Sequence, residues 1–326
     1  MANLDKEETQ AKITAFARQR LPFLFVIDAS MNRGMVLSPE EAAKEGVLFD
    51  FGGISNYTAH PGKKRLVRFK SEPIPYEIYL HAFNNVVSHI HQGDTYLVNL
   101  TFPTLVTTDF SLKEIFHSSQ APFKLLVKNE FVVFSPEIFI RIKDNRISSF
   151  PMKGTIDAHI PDAEKIIMAD EKEIFEHNTI VDLIRNDLAM VSKGVKVKRF
   201  RYIDRIQTNR KEILQVSSEI TGELPGDYLS RLGEIIFTLL PAGSVTGAPK
   251  QKTLEIIRNT ESDDRGFYTG ICGYFDGTSL NSAVMIRFIE KTEKGLVFRS
   301  GGGITALSDA HSEYMELNDK IYVPII

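Results

Sequence analysis

The sequence predicts an α+β protein in which sheets pack together and helices lie outside them. Three observations lead there: strand-like runs fall in two blocks, helical periodicity lies between and after them, and the connections inside the first block are short. Runs at Phe23–Ile27, Leu66–Phe69, Phe123–Val127, Phe131–Phe134 and Ile138–Ile142 open the chain. Asp144-Asn145 offers a turn from the last of these into Ile147–Phe150. Their links are too short for crossover connections, so the pairing is expected to be antiparallel.

Each remaining element follows from spacing. Tyr79, Phe83, Val87 and Ile90 recur at helical intervals and stop before Gly93, a suitable carboxyl-terminal cap. From Ala163 to about Met190 the chain lacks Pro and Gly and reads as one charged helix. Another helix is expected from Lys250 to about Arg258. The second β block spans Tyr268–Thr305, with Ala283–Ile289 and Gly295–Arg299 flanking a Lys-Gly turn, and a last helix starts at the N-cap Asp309 and runs through Lys320. The 326 residues read as one catalytic unit, with a short amino-terminal region of about 75 residues contributing strands.

Composition narrows the function. A hydrophobic content of 43% supports a large core, and a net charge of −3 gives no basic excess for nucleic acid or an anionic membrane. The polar amino terminus has no signal-like apolar segment and no apolar run reaches the ~18 residues of a membrane span, so the expected address is cytoplasmic. The single cysteine, Cys272, allows no intrachain disulfide and reads as a packed core thiol.

Two helical segments each carry glutamates three apart, Glu173 with Glu176 and Glu313 with Glu316, which places each pair on one face. If those faces meet, four carboxylates need a divalent cation between them, and oxygen-only ligands favour Mg2+. The same spacing also suits ordinary solvated faces. The run Gly301-Gly302-Gly303 could bring backbone N–H groups to an anion or form a tight turn. Arg287, in an otherwise apolar strand-like run, needs a carboxylate, whether from a ligand or from within the protein. Pro241–Lys250 has neither the glycine spacing nor the Gly-Lys element of a phosphate loop. Lys153, flanked by Pro151 and Gly154, and Glu137, after Ser135-Pro136, are candidate nucleophile and general acid.

Taken in order, Gly93–Thr101, Ser135-Pro136-Glu137, Lys153-Gly154-Thr155, Ala169–Glu173 with Glu176-His177, Val181–Leu188, Pro241–Lys250 and Gly301–Gly303 resemble the signatures of the chorismate-utilising enzymes. That family includes anthranilate, aminodeoxychorismate, isochorismate and salicylate synthases. The resemblance covers about Gly93 to Lys320. It implies the chorismate-utilising enzyme fold of two packed antiparallel β-sheets surrounded by helices, with chorismate and Mg2+ between them. By motif position it implies Glu173, Glu176, Glu313 and Glu316 as the metal shell. Arg287, Tyr268 and the amides around Gly301 and Gly303 would hold a substrate carboxylate, and Ser244 and Thr155 would add hydrogen bonds.

Two positions choose among the family's reactions. Leu97 stands where isochorismate and salicylate synthases place a water-activating lysine, and Lys153 stands where aminodeoxychorismate synthases resemble this chain. The resemblance therefore implies amination of chorismate at C4, with Lys153 as covalent nucleophile, Glu137 as proton donor and Mg2+ as cofactor. Ammonia would come from a separate glutamine amidotransferase subunit, since no glutaminase segment is present. Amination at C2, as in anthranilate synthase, and a non-catalytic chorismate-binding partner are the alternatives. Gln215-Val216 departs from a His-Leu pair found in many relatives, which fits an enzyme that retains the enolpyruvyl group.

Overall fold

The computed structural model describes residues 3–58, 68–207 and 212–324, with the side chain of residue 207 also left aside. It contains two antiparallel sheets, each of nine strands among the described residues. In the first, the strands run in the order Met152–Asp157, Glu212–Glu223, Arg146–Ser149, Ile138–Lys143, Leu280–Val284, Ile271–Phe275, Phe23–Ile27 and Gly34–Leu37, and Lys193–Gln207 pairs with Glu212–Glu223. In the second, the order is Gly247–Ala248, Leu97–Thr108, Gly295–Ile304, Phe288–Thr292, Phe131–Ser135, Phe123–Val127, Val47–Phe51 and Ile54–Ser55, and Phe69–Glu72 pairs with Leu97–Thr108. Phe23–Ile27 pairs with Ile271–Phe275, so the two ends of the chain share one sheet.

The period of two in each strand decides the layering. Leu24 and Val26 join Phe49, Phe51, Phe123, Leu125, Cys272 and Phe288 in the apolar core between the sheets. Phe23, Phe25 and Ile27 point the other way, into a core with Ile180, Ile184, Leu188, Ile235 and Ile236 from the covering helices. Both faces of that strand are therefore dry, and all five residues are buried. The outer face of the second sheet is covered at one end by Ile115 and Phe116, and at the other by Tyr79, Phe83 and Val86 with Ile256 and Leu317. No described helix is long and apolar enough to cross a membrane.

Most expected elements are present. The helix Tyr76–His91 ends at Gly93, whose φ is 80°, and Asp144 and Asn145 both take positive φ in the hairpin turn. Of the expected strand Leu66–Phe69, residues 66 and 67 lie outside the described residues, and Phe69 opens a strand that runs on to Glu72. Three readings are corrected. The single helix expected from Ala163 is two, Ala163–Ala169 and Glu171–Val191, separated where Asp170 turns extended and caps Glu173. Second, the run Ala283–Ile289 is not one strand, because the chain leaves the first sheet after Val284 and enters the second at Phe288. Arg287 makes that passage in the left-handed region, at φ 54°. Third, the glycine run is not a tight turn: it lies inside the strand Gly295–Ile304, paired with Asn99–Thr101.

Candidate active site

The helices Glu171–Val191 and Ala310–Asp319 bring the four glutamates together. Asp170 accepts from the Glu173 N–H at 3.0 Å, and Asp309 accepts from the Ser312 N–H at 2.9 Å, so each acid pair begins in the first turn of its helix. Glu176 and Glu313 are each 3% exposed, whereas Glu316 lies at the rim. The Lys172 ammonium stands between them, 2.6 Å from Glu313, 3.6 Å from Glu176 and 3.9 Å from Glu316. Lys320 lies 2.7 Å from Glu316 and donates to the Gly301 carbonyl at 2.9 Å.

Lys153 completes the cluster. Its strand bulges between Lys153 and Thr155, at Gly154, whose φ is 75°. A Cβ there would also stand 3.3 Å from Glu173. The Lys153 amine lies inward, 3.0 Å from Glu176. Gly303 allows this closeness: a Cβ on it would come 2.7 Å from Glu176 Oε2, 3.2 Å from Lys153 Nζ and 3.1 Å from a Leu97 methyl. Beyond Arg299 the glycine strand has no paired strand opposite Leu97–Thr108 among the described residues, since Phe288–Thr292 ends its pairing there.

Electrostatics divide the cluster. Burial, reinforced by Glu176, pushes the Glu173 carboxyl up to about 7. At Glu316 burial acts upward too, but Lys320 and Lys172 outweigh it and hold the group at about 2. Burial also raises Glu313, and its Oε1 makes no aligned hydrogen bond despite the nearby Lys172. Burial works against charge on Lys153, yet Glu176 more than offsets it and leaves the amine above its usual value. Among the described residues no three acids or histidines close into a ready coordination shell, because Lys172 occupies the space between them. The surplus of buried carboxylate over ammonium, in an all-oxygen set, nonetheless suits a hard divalent cation.

A second group faces protons rather than cations. The Ser244 hydroxyl donates to Glu137, whose N–H donates to Ser135 Oγ at 3.1 Å. Burial raises the Glu137 carboxyl, against the opposing effects of Ser244, Lys153, Arg287 and Lys320. Glu137 and Ser244 also line a small cavity of about 20 Å3 whose walls include Ile184, Leu188, Leu239 and Val284, with Asp187 among them. Arg287 forms no internal ion pair among the described residues; its Nε is buried without a hydrogen-bond partner, and its guanidinium lies 5.3 Å from the Tyr322 ring centroid. Tyr268 is buried, which pushes its hydroxyl up to about 12. Thr155, one residue past the bulge, is exposed.

The sequence reading did not single out Lys172 and Lys320 as partners of the acids. Their signal was available, since Lys172 precedes Glu176 by four residues and Lys320 follows Glu316 by four. It also passed over Arg265 and Glu261, a buried pair behind the site.

Residues 22–325 match the family model described as chorismate binding enzyme. A Haemophilus influenzae protein named "uncharacterized PabA-like protein" is 49% identical over 310 residues, covering 95% of this chain and 94% of its own. Anthranilate synthase component 1 of Archaeoglobus fulgidus is 32% identical, over 71% of this chain and 57% of its own. Aminodeoxychorismate synthase component 1 of Klebsiella aerogenes is 29% identical, over 75% and 56%. Among solved structures, the menaquinone-specific isochorismate synthase of Escherichia coli superposes with a TM-score of 0.75 over 98% of this chain and 82% of its own, at 17% identity. Anthranilate synthase component I of Streptococcus pneumoniae gives 0.65 over 78% and 58%, at 23% identity. These structures share the two-sheet architecture, and with the family match over nearly the whole length the conclusion is that the chain belongs to the chorismate-binding enzymes.

Proposed function

We propose that this enzyme aminates chorismate at C4, giving 4-amino-4-deoxychorismate, the precursor of p-aminobenzoate, with ammonia from a separate glutamine amidotransferase subunit. The observation that carries the reading is the Lys153 amine, turned inward 3.0 Å from Glu176 and within the field of Glu137. The relative named as aminodeoxychorismate synthase supports it, at 29% identity. Leu97 supports it from the other side. Buried at 2% exposure beside Gly303, it offers no base for activating water.

Glu173, Glu176, Glu313 and Glu316 would hold Mg2+, which would supply Lewis-acid charge for a substrate carboxylate and engage Glu176. Arg287, Tyr268 and the backbone around Gly301 and Gly303 would hold the second carboxylate; the unpartnered Arg287 Nε is a donor without an internal acceptor. Paired with Glu176, Lys153 rests protonated, so it must first release that proton to bulk water. The neutral amine then bonds to C2, the ring electrons shift, and the C4–O bond breaks as Glu137 gives its proton to the departing hydroxyl, releasing water. Burial favours the proton-bearing form of Glu137, and the Ser244 hydroxyl on its carboxyl would orient it. Ammonia bonds to C4, the electrons return, the C2–N bond to Lys153 breaks, and a proton passes back to Glu137.

The test is product identification by mass after incubation with chorismate, Mg2+ and ammonium, with and without an aminodeoxychorismate lyase. A product of 4-amino-4-deoxychorismate, converted to p-aminobenzoate only when the lyase is added, is expected. Anthranilate formed without lyase would move the assignment to C2 amination, and unconsumed chorismate would leave a binding protein.

A further inference from the structure

Behind the site lies a buried ion pair that the chemistry above does not use. Arg265 forms a two-pronged bridge to Glu261, with Nε–Oε2 at 2.8 Å and Nη2–Oε1 at 2.6 Å. Its remaining donors reach the backbone: Nη1 donates to the Val245 carbonyl at 2.8 Å and Nη2 to the Asn99 carbonyl at 2.6 Å. Glu261 in turn accepts from the Thr101 N–H at 2.9 Å and hydroxyl at 3.0 Å. The Tyr268 N–H donates to the Arg265 carbonyl at 3.0 Å.

These bonds converge on three parts of the proposed site. Val245 follows Ser244, whose hydroxyl sits on Glu137. Asn99 and Thr101 pair in register with Gly303 and Gly301. Tyr268 stands in the turn that Arg265 begins. A buried guanidinium spends its fork on a carboxylate partner and on backbone carbonyls, and a lysine ammonium cannot span the same set. Removing the fork takes these donors from the Val245 and Asn99 carbonyls, and the loop carrying Ser244 is then free to withdraw.

We propose that Arg265, locked by Glu261, is a positioning residue that sets the Ser244 hydroxyl on Glu137 and ties it to the glycine strand. It touches neither substrate nor reacting atoms. The proposal rests on Glu137 acting as the proton donor, but its geometry is readable without turnover.

The readout is the titration of the Glu137 side-chain carboxyl by carbon-13 NMR in metal-free protein, assigned by loss of its signal in Glu137→Gln. Glu137 senses Ser244, Lys153, Arg287 and Lys320, and all four are unchanged in Arg265→Lys. Ser244→Ala removes a hydrogen bond to the ionised form, so the midpoint should rise, by roughly one unit. Arg265→Lys should give a rise of similar size in a protein that still melts cooperatively. Combining the two should give the single shift rather than the sum. An unchanged midpoint in Arg265→Lys, or a shift that adds to that of Ser244→Ala, would overturn the proposal. If Arg265→Lys does not fold, Glu261→Gln, which keeps the guanidinium and weakens its lock, is read by the same two criteria. Chorismate turnover is measured separately, so a failed amination reading and a failed positioning role leave different traces.

Discussion

The site has two halves that solve the problem of buried charge in opposite ways. The helix-borne half sets four glutamates around Lys172 and Lys320 and leaves charge unresolved, with Glu173 near neutrality and Glu313 Oε1 without an aligned hydrogen bond. The strand- and loop-borne half resolves its charge by hydrogen bonding: Ser244 donates to Glu137, and Lys153 pairs with Glu176. Lys153 links the two, since it pairs with Glu176 and its charge also acts on Glu137. The contrast matches the proposed reading, in which the first half would take a cation and the second would move protons.

The largest break should come at the shared residue. Lys153→Ala removes the proposed nucleophile and one positive partner of Glu176; the proposed C4 amination should fall on the order of a thousandfold or more, while chorismate still binds by calorimetry. Unchanged product formation would take Lys153 out of the chemistry. Next comes Gly303→Ala. Its methyl would press on Glu176 Oε2 at 2.7 Å and Lys153 Nζ at 3.2 Å, two flexible side-chain ends, so the fold should persist while both halves shift. A loss of roughly a hundredfold in kcat is expected from misplacement of that size. Activity near that of the parent would show that the halves tolerate separation.

How much of this was legible in the sequence follows from the same division. The strand Phe23–Ile27 was legible as a short run apolar at every position, which suits a strand dry on both faces, but such a run does not say that Leu24 and Val26 face one layer and Phe23 and Phe25 the other. The i, i+3 glutamates were visible as pairs. Their meeting was not, because it depends on the long-range packing of two helices on the glycine strand. The break at Arg287 was hidden, as Ala283–Ile289 is continuously strand-like except at that arginine, and left-handed backbone leaves no mark in such a run. The split at Asp170 did carry a signal, an aspartate suited to cap a helix within a charged helical stretch. The long hairpin of Lys193–Gln207 and Glu212–Glu223 was not read as strands, because its exposed strand is dense in Lys and Arg.

The cation half can be tested without turnover. Glu173 rises from the ordinary 4.5 to about 7 on folding, so its neutral form is favoured in the folded chain. The unfolded chain therefore gives up this proton first. The stabilisation is complete below about 4.5 and is lost as pH rises through 7, a decline of about 1–3 kcal/mol over that window in chelator-treated protein. Denaturant melts across the window should show that slope in the parent and a flatter one in Glu173→Gln, a difference that isolates this carboxyl from other titrating groups. Added Mg2+ should reduce the decline, because it favours the ionised carboxylate. Identical slopes in the two proteins would mean that the surplus of charge lies elsewhere in the cluster.

The smallest effect is expected at Thr155, and it marks where the proton half ends. Its side chain is exposed past the bulge, whereas the bulge itself turns Lys153 toward Glu176. A hydrogen bond from an exposed hydroxyl to bound substrate is worth about 1 kcal/mol, because water competes for both partners. Thr155→Ala should therefore raise the chorismate KM less than about tenfold and leave kcat nearly unchanged, the pattern of lost uniform binding. A fall in kcat at constant KM would instead place the hydroxyl against the reacting ring, which requires the strand beyond Gly154 to close over bound chorismate.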